Sequence, residues 1–528
     1  MDSQHIIDEI KDNVSKKDFI KAKIIMQGFR DMDEKVQNRI LFELFKGDTD
    51  FVVDIISILL SFCNEDCKPL PIIKDTLVAK LLESPDILEK FLLNDEISNK
   101  SQFIELAGEI GMEEALPILN DLLTRTQDNA IILQVIKTFG TIGDPKSINH
   151  LGDYLYSGEK ELIVASIVAL GNIGTPTSMR RLAERMGTDI NIDLIILKVF
   201  TKVQDNIALE KLNEMISSHY THLRNYAKDS LVTIGAKSVP VLLGNLLYDD
   251  HDLLIHTLNI LGEIGDESVI NPIRKLLYTE PKDANVRFAA YEAFALLPMK
   301  KGPFILIDGL QDKEESVAVA ATKAIEEHFN DILAAGIRNL IKSDDESSEK
   351  ICKSILNSSV EKIFLGVIEE EIFQKYLIEK LPKTHTDTQK FYTDILKKNN
   401  YNTLYTKLKP CKEKTNTKLK ICAVDDSRMI LNIYKTTLHK IGFNPLLFEF
   451  PESALEYIQS EKPDILFTDL NMPKMNGVQL TEAIRKKYTH DELPIIMVTT
   501  QNDTQDTEAA YKAGISNILF KPFSADQL

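Results

Sequence analysis

Tryptophan is absent from the chain, cysteine is scarce, and no stretch is apolar for long. The five cysteines, Cys63, Cys67, Cys352, Cys411 and Cys422, are odd in number and scattered. That spacing argues against a disulfide framework and for reduced thiols in a cytoplasm. Cys63 and Cys67 could be half of a metal site, but no second Cys/His pair has matching spacing. Basic residues are outnumbered, 62 against 80 acids, for a net charge of −18. A broad surface for nucleic acid or anionic membrane is therefore not expected. No uninterrupted apolar run approaches the ~20 residues of a membrane span. The start, Met1-Asp2-Ser3-Gln4-His5, lacks the basic and apolar regions of a secretion signal. His219 and His222 sit three apart beside Tyr220, with no acid pair or third ligand in view, and read as ordinary surface or core histidines. No phosphate-cradling glycine loop, nucleophile elbow or DNA-reading helix stands out.

What remains is enough apolar residue, 44% of the chain, for packed cores, distributed over several domains. Residues 1–100 are irregularly helical; Phe51 to Leu60 is apolar on most sides, as a helix buried between neighbours would be. From 101 to 335 a period appears. Leu106-Ala107-Gly108-Glu109-Ile110-Gly111 returns as Phe139-Gly140-Thr141-Ile142-Gly143 and Leu170-Gly171-Asn172-Ile173-Gly174. Further copies are Leu231-Val232-Thr233-Ile234-Gly235 and Leu261-Gly262-Glu263-Ile264-Gly265. The closing glycines at 111, 143, 174, 235 and 265 recur about every 31 residues, with one double gap. A degenerate copy, Phe200 to Asp205, fills that gap. A fixed period of this length marks stacked helix pairs. The pattern resembles the short HEAT-like repeats also seen in bilin-lyase-type proteins, and Arg224 and Arg287 fit that family's arginine early in the second helix. Residues 336–405 stay helical without the signature and read as a cap. Residues 406–418, with Pro410 among lysines and threonines, read as a linker.

The last segment, 419–528, alternates short apolar strands with helices. Strands are expected at 420–424, 445–449, 465–469, 494–498 and 517–520, with helices at 428–441, 452–460, 477–487 and 504–513. Four of the strands run into polar residues: Asp425-Asp426, Asp469, Thr499-Thr500 and Lys521-Pro522. Carboxyl ends of strands are where open α/β sheets keep their ligand sites.

These residues, in this order, resemble the receiver domain of two-component response regulators, the CheY-like family. The resemblance implies a flavodoxin-like fold with a parallel five-stranded sheet, order 2-1-3-4-5. The whole chain is then an all-α HEAT-like solenoid followed by an α/β receiver. It implies Asp469 as phosphoacceptor, with Thr499 and Lys521 contacting the phosphoryl oxygens. It implies Mg²⁺ held by Asp426, Asp469 and the backbone carbonyl of Asn471, with Asp425 acting through water. Thr499 and position 518 form the family's switch, but Ile518 stands where an aromatic is usual, so a smaller switching motion is expected. The fifth helix, which Ser524 would cap, is cut short at Leu528. A sensor histidine kinase or phosphotransfer protein is the implied phosphodonor, and an unknown protein the solenoid's partner. The expected function is a response regulator, not an enzyme, whose receiver modulates what the solenoid binds. A receiver-regulated lyase and a receiver serving only as a phosphate sink are the alternatives.

Overall fold

The repeat glycines do two separate jobs. Each closing glycine ends a helix with a positive φ: Gly111, Gly143, Gly174, Gly235 and Gly265 lie between +64° and +76°. A side chain at such a φ crowds the following carbonyl, which glycine avoids. In the degenerate copy the same backbone turn is kept by Gln204, φ +57°, whose N–H donates to the Phe200 carbonyl. The glycine three residues earlier lets neighbouring helices touch. A Cβ on Gly140 would lie 2.6 Å from Ala169 Cα, one on Gly171 2.5 Å from Val199 Cγ1, and one on Gly262 2.9 Å from Ala293 Cα.

The computed structural model describes residues 3–61, 71–93, 100–218, 220–299, 304–343, 345–384, 386–408, 419–472, 475–499, 504–521, 523 and 527–528. Cys63, Cys67, Cys411 and His219 lie outside these. The chain forms two compact units, residues 1–208 and 209–528.

Among the described residues the regular structure of the first unit is all helical. The expected buried helix is Thr49–Ser61, with Val52, Val53, Ile55 and Ile56 fully enclosed. In the repeats, Asp144 accepts a hydrogen bond from the Lys146 N–H and opens a helical turn at Pro145. The helix that follows buries Ile148 and Leu151, and Leu155 caps it from within the core. The helix Lys160–Ile173 packs against Asn129–Ile142 on one side and Ile190–Val203 on the other. Its Ile167 and Leu170 are wholly buried, while Val168 stands exposed.

The second unit begins with further helix pairs. Helices Thr221–Ile234, His251–Ile264 and Ala284–Leu296 lie side by side. Arg287 is held by Asp312, Nε at 2.8 Å and Nη2 at 3.0 Å from its carboxylate oxygens, and by the Pro281 carbonyl at 2.6 Å. Two expected boundaries shift. Helix Asp331–Ile341 crosses the 335/336 division, and helix Asn402–Leu408 runs into the expected linker. Leu404 and Leu408 are buried, so apolar contact extends the helix past the point where lysine content suggested a tether.

The receiver closes the second unit. Strands β1 (Ile421–Val424), β2 (Pro445–Phe448), β3 (Ile465–Asp469), β4 (Ile495–Thr499) and β5 (Asn517–Phe520) form one parallel sheet ordered β2-β1-β3-β4-β5. Parallel strands need crossovers, here helices Arg428–Lys440, Pro451–Ser460, Gly477–Arg485 and Thr504–Ala513. One sheet face packs Cys422, Leu466, Met497 and Leu480 into a core. The other packs Ile421, Phe467, Val498 and Tyr434, and it takes in Phe288 from the Ala284–Leu296 helix. Ser524, the expected cap of a fifth helix, lies outside the described residues.

Candidate functional site: the acid cluster at the strand ends

The sheet order puts β1 and β3 side by side, so their terminal acids meet at one edge. β4 and β5 continue that edge with Thr499 and Lys521, and the Lys521 N–H donates to the Thr499 carbonyl at 2.9 Å. Lys521 Nζ lies 2.5 Å from Asp425 Oδ2 and 2.7 Å from Asp469 Oδ1. Asp469 Oδ2 accepts the Asn471 backbone N–H at 2.8 Å, and Asp425 Oδ1 accepts that of Ser427 at 3.0 Å. Asp469 is 7% exposed and Thr499 4%. Gly477 makes this packing possible: a Cβ there would fall 2.2 Å from the Asp469 carbonyl oxygen. The helix it opens is fixed by Asn476 and Gln479, each side chain bonding the other's backbone N–H.

Charge is unbalanced here. Burial first, and then the charge of Asp469, raise the carboxyls of Asp425 and Asp426 above the ordinary carboxylate range, with Lys521 opposing; Asp426 adds to the shift of Asp425. Burial alone would lower the Lys521 ammonium; Asp425 and Asp469 outweigh it and shift the group well upward. Asp426 retains accessible surface, but that surface lines a cavity of about 240 Å³. Asp425, expected to act on the metal through water, is fully buried and ion-paired with Lys521.

The profile of the response regulator receiver domain matches residues 421–528. A CheY homolog of Campylobacter jejuni is 37% identical over 112 residues, 21% of this chain and 86% of the relative. CheY1 of Helicobacter pylori is likewise 37% identical over 112 residues, covering 90% of that protein. The chain belongs to the response-regulator receiver family. Among solved structures, Vibrio cholerae CheY4 is 29% identical, covering 21% of this chain and 92% of the other, with a TM-score of 0.20. The profile of HEAT repeats matches residues 85–170. The chain is thus a two-component response regulator with a HEAT-repeat region before its receiver.

CheY-type receivers generally bind Mg²⁺ at the phosphorylation site. In donor chemistry Asp425, Asp426, Asp469 and the Asn471 carbonyl fit such an ion, since Mg²⁺ takes oxygen ligands and needs few from protein. The surplus of buried carboxylate gives it a charge to neutralise. Among the described residues, however, no three acids, histidines or cysteines are gathered closely enough to hold a metal. Lys521 lies between Asp425 and Asp469 and takes up their charge. Ile518 packs against the receiver core, partly buried.

Sequence reading missed half of the site. The cavity before Asp426 and Asp469 is walled on its far side by Lys228, His256, Glu263 and Glu292, all from the repeat helices. Arg224, singled out only as a repeat arginine, reaches the receiver: its Nη2 donates to Asn471 Oδ1 at 3.3 Å and its Nη1 to the Ser218 carbonyl at 2.7 Å. Asn285 Nδ2 donates to the Lys521 carbonyl at 3.1 Å, and Ser427 Oγ donates to Glu292. Nothing local in the sequence marks these residues, which lie 135 to 247 positions from their partners. His222, expected to be an ordinary histidine, is exposed on the Thr221–Ile234 helix beside Tyr220. Among the described residues no helix is long and apolar enough to cross a membrane.

Proposed function

We propose that Asp469 is the phosphoacceptor of a phosphorelay and that its state governs which protein the HEAT-like repeats bind. The observation that carries this is Lys521 Nζ held at 2.7 Å from Asp469 Oδ1, with Asp425, Asp426 and Thr499 around the same edge. A carboxylate oxygen of Asp469 attacks the phosphorus of a phosphohistidine. The P–N bond breaks as the P–O bond forms, and the imidazole leaves. Lys521 can then follow the new phosphoryl oxygens, and Thr499 can donate its hydroxyl to one of them. Asp426, Asp469 and the Asn471 carbonyl, with Asp425 beside them, would hold Mg²⁺, which supplies positive charge against the acids and the phosphoryl group. Such transfer depends on positioning and charge neutralisation rather than on a protein base. The donor is a sensor histidine kinase or phosphotransfer protein, and the chain itself acts as a phosphoacceptor in the cytoplasm rather than as a lyase.

The test is labelling of the full chain with acetyl phosphate and Mg²⁺, read by intact mass. Wild type should gain one phosphoryl group, and Asp469→Asn should gain none while keeping its circular dichroism spectrum. Equal labelling of the variant would sink the assignment.

A further inference from the structure

The cavity in front of Asp469 has two walls, and only one of them belongs to the receiver. The other is the face formed by helices Thr221–Ile234, His251–Ile264 and Ala284–Leu296. Contacts ring it. Arg224 holds Asn471 on one side, Asn285 holds the Lys521 carbonyl on another, and Glu292 accepts the Ser427 hydroxyl. Phe288, one helical turn from Glu292, packs with Ile421, Tyr434 and Phe523. Farther out, helix Arg428–Lys440 packs on helix Glu346–Ser358, and His439 Nε2 lies 3.4 Å from Asp387 Oδ2. Asp469 is left 7% exposed, opening into a cavity of about 240 Å³. The repeat wall stands across the approach that a histidine carried on a protein domain would take to Asp469.

We propose that the repeat helices spanning 221–296 act as an in-cis lid on the phosphorylation site, and that a protein phosphodonor reaches Asp469 only after this face parts from the receiver. Lys228 is the lid's cation. It lines the cavity within the field of Asp426 and Asp469, so in the docked state it supplies positive charge that an incoming metal would otherwise provide. Burial and the nearby Arg224 pull its ammonium down to about 8, and the two aspartates work against that shift. Glu292 is the latch. Burial raises its carboxyl to about 7 even though the Ser427 hydroxyl bonds it. Adding a phosphoryl group beside Glu292 and Glu263 brings like charges together in a desolvated space, a repulsion that favours parting against the pull of Lys228 and Arg224. The inference rests on the phosphoacceptor reading given above and names its regulation.

The experiment compares wild type with Phe288→Ala/Glu292→Ala in the full chain, and with Asn285→Ala as a milder second variant. Neither variant alters a residue of the acid cluster, and melting curves check folding. Phosphohistidine transfer from an isolated phosphotransfer domain should run about tenfold faster in the double variant and severalfold faster in Asn285→Ala. Hydrogen exchange in 425–427 and 469–472 should rise in step. Equal rates and equal exchange in all three proteins would overturn the lid while leaving Asp469 as phosphoacceptor. If no protein is labelled, the phosphoacceptor reading fails, and exchange alone then decides the docking: unchanged protection in the variants overturns it.

Discussion

In the receiver, residues far apart in sequence meet in one core: Cys422, Leu466, Leu480 and Met497 share a single apolar layer. In the repeats of the first unit, each helix meets its neighbours and little else. Helix Lys160–Ile173 packs on the helices about 30 residues before and after it. The receiver therefore depends on long-range closure, and the repeats on a sum of adjacent interfaces. Chemistry follows the same division. Only the closed sheet gathers an acid just past β1, another at the end of β3 and a lysine just past β5 at one place. The repeats offer broad faces instead, one of which lies against that acid site.

The most damaging change separates function from folding in the receiver. Asp469→Asn removes the nucleophile but keeps an acceptor for the Asn471 N–H, so phosphoryl labelling should vanish while the melting temperature stays near that of wild type. A large fall in melting temperature would instead make Asp469 a structural residue paired with Lys521.

Next in size is Ile167→Asp in the first unit. Ile167 is fully buried, and an unpaired carboxylate there loses apolar burial and gains a desolvation penalty, together roughly 4 kcal/mol or more. Because stability passes between neighbours, hydrogen exchange should rise in 129–142 and 190–203 as well as in 160–173. Exchange confined to 147–174 would break the nearest-neighbour picture. In the receiver, Gly477→Ala places a methyl 2.2 Å from the Asp469 carbonyl oxygen, which the backbone must move to relieve. A loss of about 2–3 kcal/mol in denaturant unfolding, together with slower labelling, is expected, since the disturbed carbonyl belongs to the phosphoacceptor itself.

Strand and helix limits in the receiver were legible to within a residue or two, because each strand is a short apolar run stopped by a polar residue. The strand expected at 494–498 is Ile495–Thr499, and the helix expected at 428–441 is Arg428–Lys440. The sheet order and the presence of HEAT-like repeats were legible through resemblance. The Asp425–Lys521 pair was not legible, because sequence shows two neighbouring acids but not how close Lys521 comes to one of them. Lys228 and Glu292 were invisible for a different reason: each is one charged residue on an ordinary amphipathic helix. Their meaning comes from a surface more than a hundred residues away. The linker was misplaced at its start because Leu404 and Leu408 are two apolar residues among polar ones, and only their burial gives them weight.

The smallest effect tests how the degenerate repeat keeps its shape. Gln204 holds φ +57°, the turn that Gly143 and Gly174 make elsewhere in the same unit. A side chain in that conformation costs about 1–2 kcal/mol relative to an unstrained turn. The residue recovers part of this, since Gln204 Nε2 donates to the Thr201 carbonyl at 3.1 Å. Glycine would remove the strain, lose that bond and widen the unfolded ensemble, an entropic cost of roughly 0.4–1 kcal/mol. Gln204→Gly should therefore stabilise the first unit by about 0.5 kcal/mol, a rise of ~1–2 °C in its melting temperature. Gly174→Gln, the reverse exchange one repeat earlier, should destabilise it by a similar or larger amount, because no tuned partner awaits the new side chain. If both substitutions lower the melting temperature equally, the Gln204 side chain contributes more through its hydrogen bond than the turn costs in strain, and the closing glycines are not needed for φ alone.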